Sequence, residues 1–277
     1  MILLSSKWAK PLLHNGNVRF SPDLGLSFAT ANVSDGKAIL PDGQVLNLKD
    51  IRKIVRDNRH VYCIRDNQIF KLVISAGKNT YKLTPSDGAP TFEINGVRMH
   101  PIKDTTPDKM VKKVMNAVRV KSRDTVLDIC TGLGYTAQEA ARRCAYVTTI
   151  EKDENVLELS RLNPWSKEFW KFVKSKKIKI LIGDAFDVVK ELKGKYNVII
   201  HDPPRFSLAG ELYSLEFYEN LWRLGRRGAR LYHYTGSPGE RFRKKSVVKG
   251  VMERLRTAGW KRVRWVPSIQ GVLAVKE

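Results

Sequence analysis

Short runs that mix apolar and polar positions fill the first hundred residues, each bounded by turn-forming residues. Val61-Tyr62-Cys63-Ile64 and Ile69-Phe70-Lys71-Leu72-Val73-Ile74 flank Asp66-Asn67, a pattern that predicts strands joined by a turn. Asn95-Gly96 lies between Phe92-Glu93-Ile94 and Val97-Arg98-Met99. It predicts a hairpin, because those two residues tolerate the positive φ that a two-residue turn demands. One helix is expected around Leu48 to Asp57, where Ile51, Ile54 and Val55 recur at helical spacing. Residues 1–100 therefore read as a small β-rich accessory domain.

From Thr106 the rhythm changes. Thr106 as N-cap and Pro107 at the first helical position open a helix with Met110, Val111, Val114, Met115 and Val118 on one face. Apolar runs then follow at Thr125 to Cys130, Tyr146 to Ile150, Ile178 to Ile182, Tyr196 to Ile200 and Ala229 to Tyr234. Helical stretches separate them, as in a doubly wound parallel sheet. Trp260 to Val266 and Gly271 to Val275 lie too close together for a parallel crossover and should pair antiparallel. The fold expected for residues 101–277 is thus α/β: a Rossmann-like parallel sheet with an antiparallel last strand.

A chain of 277 residues, 42% of them hydrophobic, suits one or two domains with a good-sized core. Charge adds more. Fifty Lys and Arg against 28 Asp and Glu give a net charge of +22, which fits a polyanionic partner, nucleic acid first. Met1 to Leu4 is too short an apolar run for a signal peptide or a membrane span, so the expected location is the cytoplasm. Cys63, Cys130 and Cys144 have no CxxC spacing and are odd in number; neither a metal site nor a disulfide framework is expected.

The first candidate site follows the first strand of the alternating region. Val126-Leu127-Asp128-Ile129-Cys130-Thr131-Gly132-Leu133-Gly134-Tyr135 is an apolar strand that enters a glycine loop and then a helix. Gly132 and Gly134 allow a sharp turn and close backbone approach to a ligand. A dinucleotide would also fit this loop, which matches G-x-G-x-x-A through Ala137. Three acids at strand ends decide for S-adenosylmethionine. Glu151 can accept both ribose hydroxyls in either cofactor, whereas Asp128 suits an ammonium and a sulfonium and would repel a pyrophosphate. Asp184, in Gly183-Asp184-Ala185, could accept from an adenine amino group, although an Asp after a strand can equally cap the next helix. The expected cofactor contacts are Asp128, Thr131, Gly132, Gly134, Tyr135, Glu151, Asp184 and Ala185.

The second candidate site ends the fourth strand, at Ile200-His201-Asp202-Pro203-Pro204-Arg205-Phe206. Two prolines fix the backbone and remove two donors, so a carboxylate and a carbonyl can point rigidly in one direction. An exocyclic base amine is a poor nucleophile because its lone pair is delocalised. If Asp202 and the Pro203 carbonyl accept its two hydrogens, the nitrogen can pyramidalise toward a methyl group. Asp202, Pro203 and Pro204 are therefore the expected catalytic group.

This pattern resembles the Asp/Asn-Pro-Pro-aromatic motif of N6-adenine, N4-cytosine and N2-guanine methyltransferases, with Arg205 where Tyr or Phe is usual. Arg205 or Phe206 would then stack on the base. Together with Leu212-Tyr213-Ser214, Glu216-Phe217-Tyr218, His233-Tyr234-Thr235-Gly236 and Asn163-Pro164-Trp165-Ser166, the chain resembles a family of archaeal SAM-dependent methyltransferases. The resemblance implies modification of RNA, with N4 of a cytidine in ribosomal RNA as the target and rRNA or a ribosomal subunit precursor as partner. A tRNA guanine-N2 methyltransferase is an alternative. His233 and Tyr234 would line the base pocket, unless they are a satisfied semi-buried pair. Arg241, Arg243, Lys244 and Lys245, just after the fifth strand, are the best phosphate contacts, and Arg226-Arg227, Arg230, Lys261, Arg262 and Arg264 form further basic clusters. Lys171 to Lys179 reads as a solvated face. The main rival is an aminopropyltransferase of the spermidine-synthase type, whose Leu-Tyr-Ser-x-Glu-Phe-Tyr-like helix entry resembles Leu212 to Tyr218.

Overall fold

A computed structural model describes residues 1–236 and 247–277. The chain divides into two compact units: Met1–Asp108 with Arg161–Trp165, and Lys109–Ser160 with Ser166–Glu277.

The first unit is built from antiparallel sheets. Strands Gly16–Phe20, Ala29–Ser34, Lys37–Ile39 and Val45–Asn47 form one in sequence order. Ile2–Leu4, Tyr62–Arg65 and Gln68–Lys71 form a second, and Val73–Ala76, Asn79–Thr84, Thr91–Ile94 and Val97–Arg98 a third. The expected helix spans Leu48–Arg56 and buries Ile51 and Ile54. Asn95 and Gly96 both take positive φ, 50° and 79°, and Ile94 pairs with Val97 across them, as a hairpin of that sequence requires. The apolar run Ile69 to Ile74 is not one strand, however. It breaks at Leu72, with Gln68–Lys71 paired to Tyr62–Arg65 and Val73–Ala76 paired to Asn79–Thr84. Periodicity registers burial, not partner, so a strand that changes sheets midway leaves no mark in it. Trp165 is a packing residue here, its indole N–H donating to the Leu24 carbonyl at 3.2 Å.

Among the described residues the second unit holds seven strands: β1 (Thr125–Ile129), β2 (Tyr146–Glu151), β3 (Ile178–Ile182), β4 (Tyr196–His201), β5 (Gly225–Tyr234), β6 (Lys261–Val266) and β7 (Gly271–Val275). Its described helices are α1 (Pro107–Val118, which begins in the first unit), α2 (Tyr135–Arg143), α3 (Glu154–Leu162, which ends in it), α4 (Lys167–Lys174), α5 (Ala185–Glu191), α6 (Leu215–Leu224) and α7 (Val247–Thr257). The sheet order is β3-β2-β1-β4-β5-β7-β6. β1 to β5 pair in parallel, and β7 runs antiparallel to both β5 and β6. The last strand therefore inserts between two others and leaves β6 at the edge. Central strands in parallel sheets are covered on both faces, and Val126 to Ile129 and Val198 to His201 are accordingly all buried. Leu127, Ile129, Ile199 and Leu231 join Phe217, Leu221 and Trp260 in one core. Among the described residues, no helix is long and apolar enough to cross a membrane.

Register sets the site. Ile150, Ile129, His201, His233 and Val272 lie in one row across β2, β1, β4, β5 and β7. The residues that follow this row, at the carboxyl ends of the parallel strands, face the crevice where open α/β sheets bind ligands.

Candidate active site

The glycine loop after β1 is held by three left-handed residues, Cys130 (φ 69°), Gly132 (φ 55°) and Gly134 (φ 81°). Positive φ at a non-glycine such as Cys130 carries strain and recurs at functional sites. Backbone N–H groups of Cys130 and Thr131 both donate to the Ile150 carbonyl, at 3.1 and 3.0 Å, which ties the loop to β2. At Gly134 the reason for glycine differs from the sequence expectation. An added Cβ would lie 2.6 Å from the Phe169 ring, so this glycine admits α4 rather than a ligand. Thr131, Tyr135 and Ala185 are likewise buried: the Thr131 hydroxyl bonds Thr149 at 2.6 Å, and Ala185 belongs to the core.

Three carboxylates gather at adjoining strand ends. Asp128 is fully buried; its Oδ2 accepts from the Thr149 hydroxyl at 2.7 Å, while Oδ1 has no hydrogen-bond partner within 3.5 Å among the described residues. Burial, opposed by hydrogen bonds from Thr149 and Thr136, pushes its pKa up to about 7, with further upward pressure from Asp202 and Glu151. Glu151 accepts the backbone N–H groups of Gly132 at 2.8 Å on Oε2 and of Lys152 and Asp153 at 3.0 and 3.1 Å on Oε1; burial raises its pKa despite these bonds. Asp202 follows β4, its N–H reaching the Ile129 carbonyl at 3.3 Å, and burial pushes its carboxyl up to about 7. All three acids act on Cys130, whose thiol is held well above its usual range by burial and by their charge. A region where carboxylates resist ionisation for want of solvent and positive charge is one that a cationic ligand stabilises.

Asp184 stands apart from this group. Its Oδ1 accepts the Phe186 N–H at 2.9 Å and caps α5, and its other oxygen lies 3.6 Å from Lys152 Nζ. The capping geometry is the one common after strands.

Around Asp202 the structure adds a residue whose role the sequence left unread. The Tyr213 hydroxyl donates to the Pro204 carbonyl at 2.8 Å and so braces the Asp-Pro-Pro turn from the segment before α6. Phe206 packs edge-on against Tyr213, ring centroids 5.3 Å apart, and remains 48% exposed, a surface on which a planar group can stack. Tyr234 is half-buried, and its hydroxyl is pushed up to about 12 by burial and by Asp202, with Arg205 opposing.

His233 takes the second of the two roles open to it from the sequence, that of a satisfied buried group. It is fully buried, its Nδ1 contacting the Tyr234 carbonyl at 2.7 Å and its Nε2 the Tyr218 hydroxyl at 2.8 Å. The carbonyl can only accept, so Nδ1 carries the proton and the Tyr218 hydroxyl donates to Nε2. A histidine satisfied at both nitrogens supports the floor of the site and does not line its wall. Burial holds it and its neighbour His201, at 4.4 Å between ring centroids, below the usual imidazole range. Arg241, Arg243, Lys244 and Lys245 lie outside the described residues. Among the described residues there is no cluster of His, Cys, Asp and Glu that could hold a metal ion.

The sheet order defines a Rossmann-like α/β fold. Residues 110–255 match the spermine/spermidine synthase domain, and the chain belongs to that family. An uncharacterised protein of Methanocaldococcus jannaschii is 46% identical over 283 residues, covering all of this chain and 96% of that protein. A putative ribosomal RNA large subunit methyltransferase of the same organism is 30% identical over only 48% of this chain and 34% of its own length. The fold is similar to that of a spermidine synthase crystallised with the transition-state analogue AdoDATO: TM-score 0.60, 19% identity, covering 76% of this chain and 77% of that one. The family match favours the aminopropyltransferase alternative over the RNA methyltransferase first expected from the sequence.

Proposed function

We propose that this chain is an amine N-alkyltransferase that uses an S-adenosyl sulfonium donor. The observation that carries the proposal is the convergence of Asp128, Glu151 and Asp202 at adjoining strand ends, where each carboxyl is raised by burial. Asp128 would hold the donor's amine, and Glu151 its ribose hydroxyls. The donor, when bound, supplies a carbon made electrophilic by the adjacent sulfonium. The Asp202 carboxylate has no hydrogen-bond partner among the described residues; it accepts a hydrogen from the acceptor nitrogen as positive charge develops there. The Pro203 carbonyl is the second acceptor, and Tyr213 positions both through Pro204.

Family membership supports transfer of an aminopropyl group, for which the donor is decarboxylated S-adenosylmethionine and the acceptor a polyamine. A second reading, methyl transfer to an exocyclic base amine such as N4 of a cytidine in rRNA, has its own support. Around Asp202 stand Arg205, Phe206, Tyr213 and Tyr234, and Arg254 donates to the Tyr213 carbonyl at 2.8 Å. Arginine and aromatic rings suit a nucleotide, whereas a polyamine needs a carboxylate for each distal ammonium. The test offers both donors. Labelled S-adenosylmethionine is supplied with RNA from a strain lacking the gene, and decarboxylated S-adenosylmethionine with putrescine or spermidine, with products read by mass spectrometry. An aminopropylated polyamine establishes the first reading and a methylated nucleoside the second. Transfer from neither donor overturns the proposal.

A further inference from the structure

A groove of about 480 Å³ opens in the second unit between the end of α1 and the face of β5, β7 and β6. Its walls carry Arg119, Arg230, Arg262 and Arg264, its floor is apolar (Leu273 and Val275 among others), and none of the described residues that line it is acidic. These cations come from three elements. Arg119 follows α1, Arg230 lies on β5 opposite Val275, and Arg264 lies on β6 opposite Leu273. A bulge between Lys261 and Arg264 breaks the alternation of β6, with Arg262 at φ 51°. Lys261, Arg262 and Arg264 are consequently all exposed while Val263 is buried, the kind of re-aiming that bulges produce.

Basic residues on an edge strand can serve simply to prevent strand addition. That accounts for β6 but not for Arg119 or for Arg230, which sits two strands inward. Arg230 is committed to structure: it pairs with Asp124 at 2.6 Å and donates to the Arg119 carbonyl. The latter bond offsets the negative carbonyl end of α1, which would otherwise repel an anion. Arg262 pairs with Glu277, and Arg119 and Arg264 have no acidic partner among the described residues. Guanidinium groups match phosphate oxygens in pairs, and a narrow apolar floor with cations along both walls fits an extended strand of phosphodiesters.

We propose that this groove binds the phosphodiester backbone of RNA, away from the strand ends where transfer occurs; the proposal rests on the base-amine reading of the acceptor. The test compares wild type with Arg119→Gln/Arg262→Gln/Arg264→Gln. The double variant Arg119→Gln/Arg264→Gln spares the Arg262 bulge should the triple variant fold poorly. Lys171→Gln/Lys174→Gln/Lys176→Gln on the exposed face around α4 removes equal charge elsewhere. The probe is a short mixed-sequence single-stranded RNA titrated at several salt concentrations. Each lost phosphate contact shallows the salt slope by about 0.7, so the triple variant should lose about 2 in slope and bind on the order of tenfold more weakly at low salt. The lysine variant should match wild type. Equal losses in both variants, or none in either, would overturn the groove. Displacement of the RNA by millimolar inorganic phosphate would assign it to a small anion instead. Groove-dependent RNA binding without methyl transfer leaves the groove and sinks the base-amine reading. Methyl transfer to RNA with groove-independent binding does the reverse.

Discussion

Glu151 Oε2 accepts the Gly132 backbone N–H at 2.8 Å, so the glycine loop after β1 and the acidic end of β2 form one hydrogen-bonded unit. The carboxylate thereby shapes the loop as well as ending at the proposed donor site. Glu151→Ala should weaken binding of the S-adenosyl donor by about 1.5–3 kcal/mol, the range for charged hydrogen bonds, or roughly 10- to 150-fold. Calorimetry with S-adenosylmethionine and with its decarboxylated form checks this. Unchanged affinity for both would remove Glu151 from the donor site.

Asp128 and Asp202 should make the ligand-free protein sensitive to pH. Each ionises near pH 7 when folded and near 3.8 when not. Their contribution to stability is therefore fully present below about pH 3.8 and is lost as pH rises through 7. Melting temperatures of wild type and Asp202→Asn should diverge across that window, the wild type losing ground as pH rises. A cationic donor whose amine meets Asp128 favours the ionised form of that acid, so donor affinity should climb through pH 7 and donor binding should release protons. Calorimetry in buffers of different ionisation enthalpy counts them. No proton release would mean that Asp128 does not meet the donor's charge.

Asp202 is the group whose loss should act on rate rather than on binding. Asp202→Ala should cut single-turnover transfer by roughly 100-fold or more, the scale for losing a preorganised electrostatic group, with donor affinity near normal. Asp202→Asn retains a carbonyl acceptor and should keep more activity. Near-wild-type transfer by Asp202→Ala would make Asp-Pro-Pro a structural turn.

Tyr213→Phe removes one neutral hydrogen bond to Pro204, worth about 0.5–1.5 kcal/mol. If the bond positions Asp202, kcat should fall several-fold while KM for the donor stays, and the pH profile should shift as the carboxyl gains mobility. A purely structural tyrosine would lower the melting temperature and leave kcat alone.

Gly134→Ala combines a positive φ of 81° with a Cβ 2.6 Å from the Phe169 ring. Overpacking of this kind typically costs about 1–3 kcal/mol, and the left-handed backbone adds to it. A denaturant titration should show a lower midpoint. An unchanged midpoint would mean that α4 shifts freely.

Features set by neighbours along the chain were legible in the sequence. Asn95-Gly96 specifies its hairpin because the turn's φ values favour those residues. The α/β alternation, the glycine loop and the acids Asp128, Glu151 and Asp202 at strand ends follow from apolar runs that stop at fixed points. Contacts between distant segments were not legible. The sequence gives no sign that Leu72 divides a run between two sheets or that β7 inserts between β5 and β6. It also hides that His233 is sealed beneath the site by Tyr218, and that Tyr213 reaches back to Pro204. Local backbone preference and hydrophobic period act over a few residues and fix which elements form. The burial that lifts Asp128 and Asp202 to about 7 depends on desolvation by the whole assembled sheet and its helices, and only the tertiary structure supplies it.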